Sequence, residues 1–351
     1  MDPFSIKTLS CRCSMSETVK RLVPRARWLA IAGTLAFGAL AFRSAHSEGE
    51  TGRQADAARA PVVARTAVNP LVTHSVGGDF LNPQELSKQF CDRLVELMRE
   101  RPLPSPWELV DQLKSDKLAP IIPHQDTGRK LTSEQIYASA RKSVVVIGGI
   151  SARRRSSQWS GSYATGFVIR ADGIVVTNAH VIEAFANTKA IAVMTDDGRV
   201  FPVVSVLAAD RRNDVAVVKV DAEDLYPLPI ARDINVGATV YCLSHPALDC
   251  AGTENAFYTF TQGIVSAKLR LPIESDEPIN VLAITADYAQ GSSGGPILNE
   301  NGAVVGMVCH TLSLCAGDAG SPQMTWKMAR PAGSILGLLS DRPSVYSAST
   351  Q

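Results

Sequence analysis

Apolar positions along the chain fall into two regimes. Between residues 81 and 119 they recur at helical spacing. Leu86, Phe90, Leu94, Leu97 and Met98 form one stripe; Leu109, Val110 and Leu113 form a second. Each stripe opens on a helix-start signal, Asn82-Pro83-Gln84-Glu85 and Ser105-Pro106-Trp107-Glu108, with Pro at the first helical position and an acid placed to close a capping box. Arg101-Pro102-Leu103-Pro104 separates the two. Thr132-Ser133-Glu134-Gln135 starts a third, short helix running to about Lys142. From Ser143 the period shortens. Strands are expected over 143–150, 164–170, 174–177, 191–195, 200–208 and 215–220, and again over 239–243, 257–268, 281–286, 295–298 and 303–311. Asp172-Gly173 and Asp197-Gly198 punctuate them as turns. Short strands divided by turns argue for antiparallel barrels over a parallel sheet. A last helix is expected over 334–339.

Ahead of the helices the pattern changes character. Residues 1–27 are polar and basic, 28–42 are almost continuously apolar, and Arg43-Ser44-Ala45-His46-Ser47 comes next. That is the layout of a secretory signal, and the run falls short of the ~20 residues a spanning helix needs. Residues 1–47 are therefore read as a signal peptide cut after Ser47, with an uncleaved membrane anchor as the alternative. Residues 48–80 lack periodicity and read as a linker or disordered segment. Residues 131–340 form the main domain and 341–351 a polar tail. Residues 81–130 form a helical N-terminal region: a propeptide, an oligomerisation element, or helices packed on the main domain.

The candidate chemistry lies in three stretches. Asp287-Tyr288-Ala289-Gln290-Gly291-Ser292-Ser293-Gly294-Gly295-Pro296 sets a serine in a turn whose glycines permit left-handed and closely approached backbone. Upstream, the apolar strand 174–177 runs through Asn178-Ala179 into His180, and the polar turn Asp210-Arg211-Arg212-Asn213 ends on Asp214 before an alternating strand. A serine nucleophile needs a base, and the base needs an orienting acid. Asp210 competes with Asp214 for that role, but it reads as turn chemistry.

These motifs, in the order His180, Asp214, Ser293, resemble those of the trypsin-like serine proteases, most closely the HtrA/Deg branch. The likeness covers roughly residues 131–340. It implies an all-β fold of two antiparallel six-stranded β-barrels, preceded here by the short helical region, with the cleft between the barrels as the site. It implies Ser293 as nucleophile, His180 as proton carrier, Asp214 as orienting acid, and the Gly291 and Ser293 amides as the oxyanion hole. One position departs from the family: Ser292 stands where Asn or Asp usually precedes the nucleophile. Activation by an inserted N-terminal ammonium is therefore not expected. The PDZ domain usual in the branch is not expected after residue 340.

The resemblance also suggests where a specificity pocket lies. Asp287, six residues before Ser293, points to basic side chains; Val308 and His310 are candidate walls, and a histidine there points to acidic ones. Neither excludes the small apolar preference usual in the branch.

Composition narrows the alternatives. The 351 residues are 45% hydrophobic and 20% charged, a globular balance, and a net charge of +1 offers no field for nucleic acid. There is no Cys-His metal spacing and no phosphate-cradling loop, so neither cofactor nor metal is expected. Cys242, Cys250, Cys309 and Cys315 permit one or two disulfides in an exported domain. The reading is an exported serine endopeptidase, periplasmic or secreted, acting on protein or peptide substrates, and at a membrane only if the leader stays uncleaved. A catalytically silent binding module and a self-processing protease are the alternatives. The oligomeric state is open.

Overall fold

The computed structural model describes residues 80–115, 119–152, 158–248, 254–272, 277–316 and 321–339. The leader, the linker up to residue 79 and the C-terminal tail lie outside them. Among the described residues no helix is long and apolar enough to cross a membrane.

Helix α1 (Pro83–Glu100) starts where its capping signal stands: the Asn82 side chain accepts from the Gln84 and Glu85 amides at 3.1 and 3.2 Å. Its stripe buries Leu86, Phe90, Leu94 and Leu97. Helix α2 (Pro106–Gln112) closes a full capping box between Ser105 and Glu108, and α3 (Ser133–Ala140) another between Thr132 and Gln135. These helices are not an appendage. Phe90 and Leu94 are fully buried in one cluster with Val146, Phe167 and Met194 of the first barrel. Phe90 meets Tyr163 edge-on at 5.3 Å, and the Gln112 side chain accepts the Val206 amide at 2.7 Å. Each such side chain withdrawn from water is worth about 1.5–3 kcal/mol.

The first closed barrel takes the strand order β1-β2-β3-β6-β5-β4: β1 (Val144–Ala152), β2 (Trp159–Arg170), β3 (Ile174–Thr177), β4 (Ile191–Met194), β5 (Val200–Asp210) and β6 (Val215–Val220). The second is β10-β11-β12-β9-β8-β7: β7 (Thr239–Ser244), β8 (Thr259–Leu271), β9 (Ile279–Ile284), β10 (Pro296–Leu298), β11 (Val304–Ala316) and β12 (Ser321–Pro331). Every pairing within the barrels is antiparallel. A short helix α4 (Ala179–Ala184) follows β3, and α5 (Ala332–Leu338) follows β12. Closure removes the open sheet edges that would otherwise invite association.

Several features differ from the sequence reading, among them the start of β2 at Trp159 and the short helix α4. The pattern does not announce β12, and β11 runs on to Ala316 to pair with it. Cys242 and Cys309 are free thiols, so neither joins a disulfide. Both are buried strand residues, and Cys242 packs as a small apolar side chain in the second barrel's core. Cys250 lies outside the described residues.

Candidate active site

His180 stands in α4, directly after β3, and Asp214 lies directly before β6. Asp214 has φ +55°, a left-handed backbone that costs an L-residue roughly 1–2 kcal/mol. Its conformation is held by the buried Asn178, whose Nδ2 donates to the Asp214 carbonyl at 2.8 Å. The carboxylate then reaches back to the histidine. Oδ1 accepts the His180 backbone N–H at 3.0 Å, and Oδ2 lies 2.7 Å from His180 Nδ1. Because an ionised carboxylate only accepts, Nδ1 carries the ring proton and Nε2 is left as the acceptor. Burial alone would raise the Asp214 carboxyl. The bonds from the His180 ring and backbone, with one from Cys309, outweigh it and hold the group below the usual carboxylate range. Asp210 is spent inside its turn, accepting from the Asn213 amide and side chain at 2.9 and 2.6 Å.

Ser293 comes from the second barrel, on the loop between β9 and β10, and is half-buried. Gly291 and Gly294 hold φ of +89° and +84°. A Cβ on Gly294 would stand 2.1 Å from the Thr165 carbonyl oxygen and 2.4 Å from Thr177 Oγ1, so the two barrels can meet here only over a glycine. Ser292 is fully buried; its hydroxyl accepts from Ser244 Oγ at 3.0 Å and from the Ala289 amide at 3.3 Å. The residue that departs from the family motif therefore braces the loop from beneath.

The loop's amides are aimed by its carbonyls. The Gln290 carbonyl accepts from the Ala247 amide at 2.6 Å, and the Ser292 carbonyl from the Gly295 amide at 2.9 Å. In a trans peptide the N–H points opposite to the C=O. The N–H groups of Gly291 and Ser293 thus face away from those partners, and among the described residues neither has a backbone acceptor.

Thr165, fully buried in β2, fastens this loop to the first barrel. Its amide donates to the Ser293 carbonyl at 2.9 Å and its hydroxyl to the Gly291 carbonyl at 2.9 Å. The same hydroxyl accepts the His245 amide at 3.1 Å, and its carbonyl accepts Thr177 Oγ1 at 2.8 Å. Thr177 ends the strand that leads to His180. One side chain and its backbone thus link the base strand to the nucleophile loop. Sequence reading missed Thr165; a threonine inside an apolar strand is the only signal it offers.

The candidate specificity residues separate. Asp287 is at the surface, its side chain 80% exposed and ion-paired with Lys327 at 2.9 Å. Val308 turns its side chain into the second barrel's core beside Ile297 and Ala329, and meets the site only through its backbone, which exchanges bonds with Gly294 and Gly295. His310 reaches the site: its ring centroid lies 5.8 Å from that of His180. Burial lowers its pKa, and the His180 and Arg330 charges work in the same direction against the pull of Asp214. Beside it, Cys309 Sγ stands 3.1 Å from Asp214 Oδ2. From the sequence Cys309 reads as a possible disulfide partner or a buried strand residue, and nothing in β11 announces a contact with a residue so far upstream.

A trypsin-like peptidase domain model matches residues 164–307. A probable periplasmic DegP-like serine endoprotease of Hahella chejuensis is 38% identical over 160 residues, which are 44% of this chain and 31% of that protein. The putative serine protease HhoB of Synechocystis is 36% identical over 148 residues, 41% of this chain and 33% of that one. The chain thus spans about a third of the length of these relatives. An HtrA-type protease solved with a tripeptide is 21% identical, covering 60% of this chain and 64% of its own, at a TM-score of 0.46. The two closed antiparallel barrels thus contain a segment, 164–307, that is similar to the trypsin-like peptidase domain, and the relatives named here that align with the chain are DegP-like and HhoB serine proteases.

Proposed function

We propose that the protein is an exported serine endopeptidase. The observation that carries the reading is the Asp214–His180 pair, in which both carboxylate oxygens are committed to the histidine. That histidine precedes a loop whose serine is fixed to the same barrel through Thr165.

In this reading Ser293 Oγ attacks the scissile carbonyl and His180 Nε2 takes its proton. Asp214 holds the ring in the required tautomer and stabilises the imidazolium. Negative charge on the former carbonyl oxygen is met by the Gly291 and Ser293 N–H groups. Their directions are set before substrate arrives, so little reorganisation is needed at the barrier. His180 returns the proton to the leaving amine. Water, activated by the same nitrogen, then releases the acyl group from Ser293. His310, next to His180 and open to solvent, contributes to selection of the substrate side chain; Asp287 does not. Export rests on the leader layout together with relatives named as periplasmic.

The test is cleavage of an unfolded protein substrate by the wild type and by Ser293→Ala. A loss of about 10⁴-fold or more in the variant is expected. Equal cleavage by both would place the activity elsewhere.

A further inference from the structure

Asp214 has a second set of side-chain neighbours besides His180. Asp214, Cys309 and His310 each offer one ligand atom, and these atoms lie within 4.8 Å of one another. Sγ is 3.1 Å from Asp214 Oδ2 and 2.6 Å from His310 Nδ1. Asp214 and Cys309 are buried, while His310 opens the group to solvent.

We propose that Cys309, His310 and Asp214 form a binding site for a thiophilic divalent cation of the zinc type, and that its occupation silences the catalytic aspartate. A thiolate, an imidazole and a carboxylate with a position left to water match the donor preference and open tetrahedral geometry of Zn²⁺. Zn–S near 2.3 Å and Zn–N or Zn–O near 2.0–2.2 Å set the ligand atoms about 3.3–3.6 Å apart around a tetrahedron. The Sγ–Oδ2 spacing therefore opens by a few tenths of an ångström and the Sγ–Nδ1 spacing by about 1 Å. The exposed His310 ring can supply that movement.

The balance is simple. The ion takes the place of the Cys309 thiol proton, which leaves to solvent, and no electrons are exchanged. Burial and the neighbouring Asp214 raise the Cys309 thiol in the metal-free protein, and Arg330 beside it works the other way, favouring the thiolate. That same Arg330 charge opposes a dication, so the affinity expected is that of a regulatory site and below that of a closed structural one. Bound through Oδ2, the ion draws off the carboxylate charge that would otherwise stabilise the His180 imidazolium.

The sequence hides such a site because two ligands are adjacent and the third lies on the other barrel. The binding claim is independent of the proposed peptidase activity, and only the silencing rests on it. The full chain is freed of metal with a chelator and dialysed to equilibrium against Zn²⁺ alone, as wild type, Cys309→Ser and His310→Ala. One ion per wild-type chain is expected, with affinity lowered about 10–100-fold or more in each variant. The Co²⁺ form of the wild type should show a thiolate-to-metal charge-transfer band that Cys309→Ser lacks. Retention no greater than in buffer, or retention and spectrum unchanged in Cys309→Ser, would overturn the site. Fluorophosphonate labelling of the wild type is expected to slow at least tenfold with Zn²⁺ and recover with chelator. Equal labelling at saturating Zn²⁺ would overturn the silencing. A metal-free wild type that never labels would instead contradict the peptidase reading, and dialysis would still decide the site.

Discussion

Thr165 shows how much of this site depends on one buried hydroxyl. Replacing it with Val keeps the shape and leaves the Gly291 carbonyl and the His245 amide without their partner. An unpaired buried group costs about 1–3 kcal/mol, and a nucleophile loop displaced by an ångström costs about 10²-fold in rate. Thr165→Val should therefore lower kcat by about 10²-fold with little change in KM, while Thr165→Ser should recover most of it. A loss confined to KM would assign Thr165 to substrate binding. His245, on the same network, makes a pH prediction. It is fully buried, its Nδ1 accepts the Tyr258 amide at 3.0 Å, and burial lowers its pKa to about 3. The folded state prefers the neutral ring. The stabilisation is complete above the unfolded value near 6.5 and is lost as pH falls from there towards about 3. Each pH unit in that window removes about 1.4 kcal/mol. Urea midpoints measured from pH 7 to pH 4 should fall for the wild type and fall less for His245→Phe; parallel curves would contradict the assignment. None of this network is legible in the sequence. His180, Asp214 and Ser293 are, because each sits in a local motif. Thr165, His245 and Cys309 act through partners far along the chain, and pattern carries no record of those.

At the scale of elements, the start signals of α1, α2 and α3 and the apolar stripes of α1 and α2 are readable because a helix is a local object. The strands of the first barrel are readable for a related reason: most are rich in Val and Ile, and Asp-Gly turns divide β2 from β3 and β4 from β5. β12 is not. Its sequence, Ser321-Pro322-Gln323-Met324-Thr325-Trp326-Lys327-Met328-Ala329-Arg330-Pro331, carries Pro at both ends and few β-branched residues. It is a strand because β11 and β9 pair with it, and strand preference follows such surroundings more than the residue itself. The helical region admits three readings in sequence. The burial of Phe90 and Leu94 with first-barrel residues favours a structural one. Phe90→Ala should destabilise the domain by about 3–5 kcal/mol, read as a lowered urea midpoint. A chain beginning at residue 131 should be less stable, with no gain in activity. A stable, more active truncation would make the region an inhibitory propeptide after all.

At the scale of the whole molecule, the candidate site exists only where the two barrels meet. The first supplies His180, Asp214 and the Thr165 anchor; the second supplies Ser293, the two free amides and His310. Neither barrel alone supplies all three members of the candidate triad, so the proposed chemistry depends on the bonds that join them. The central claim is that Ser293 is an activated nucleophile. It is tested most directly by labelling the folded protein with a fluorophosphonate probe, beside Ser293→Ala and His180→Ala. The account predicts covalent labelling of the wild type at Ser293, none in Ser293→Ala, and a rate lowered by about 10³-fold or more in His180→Ala. A folded, metal-free wild type that does not label, or a label carried equally by Ser293→Ala, would contradict it.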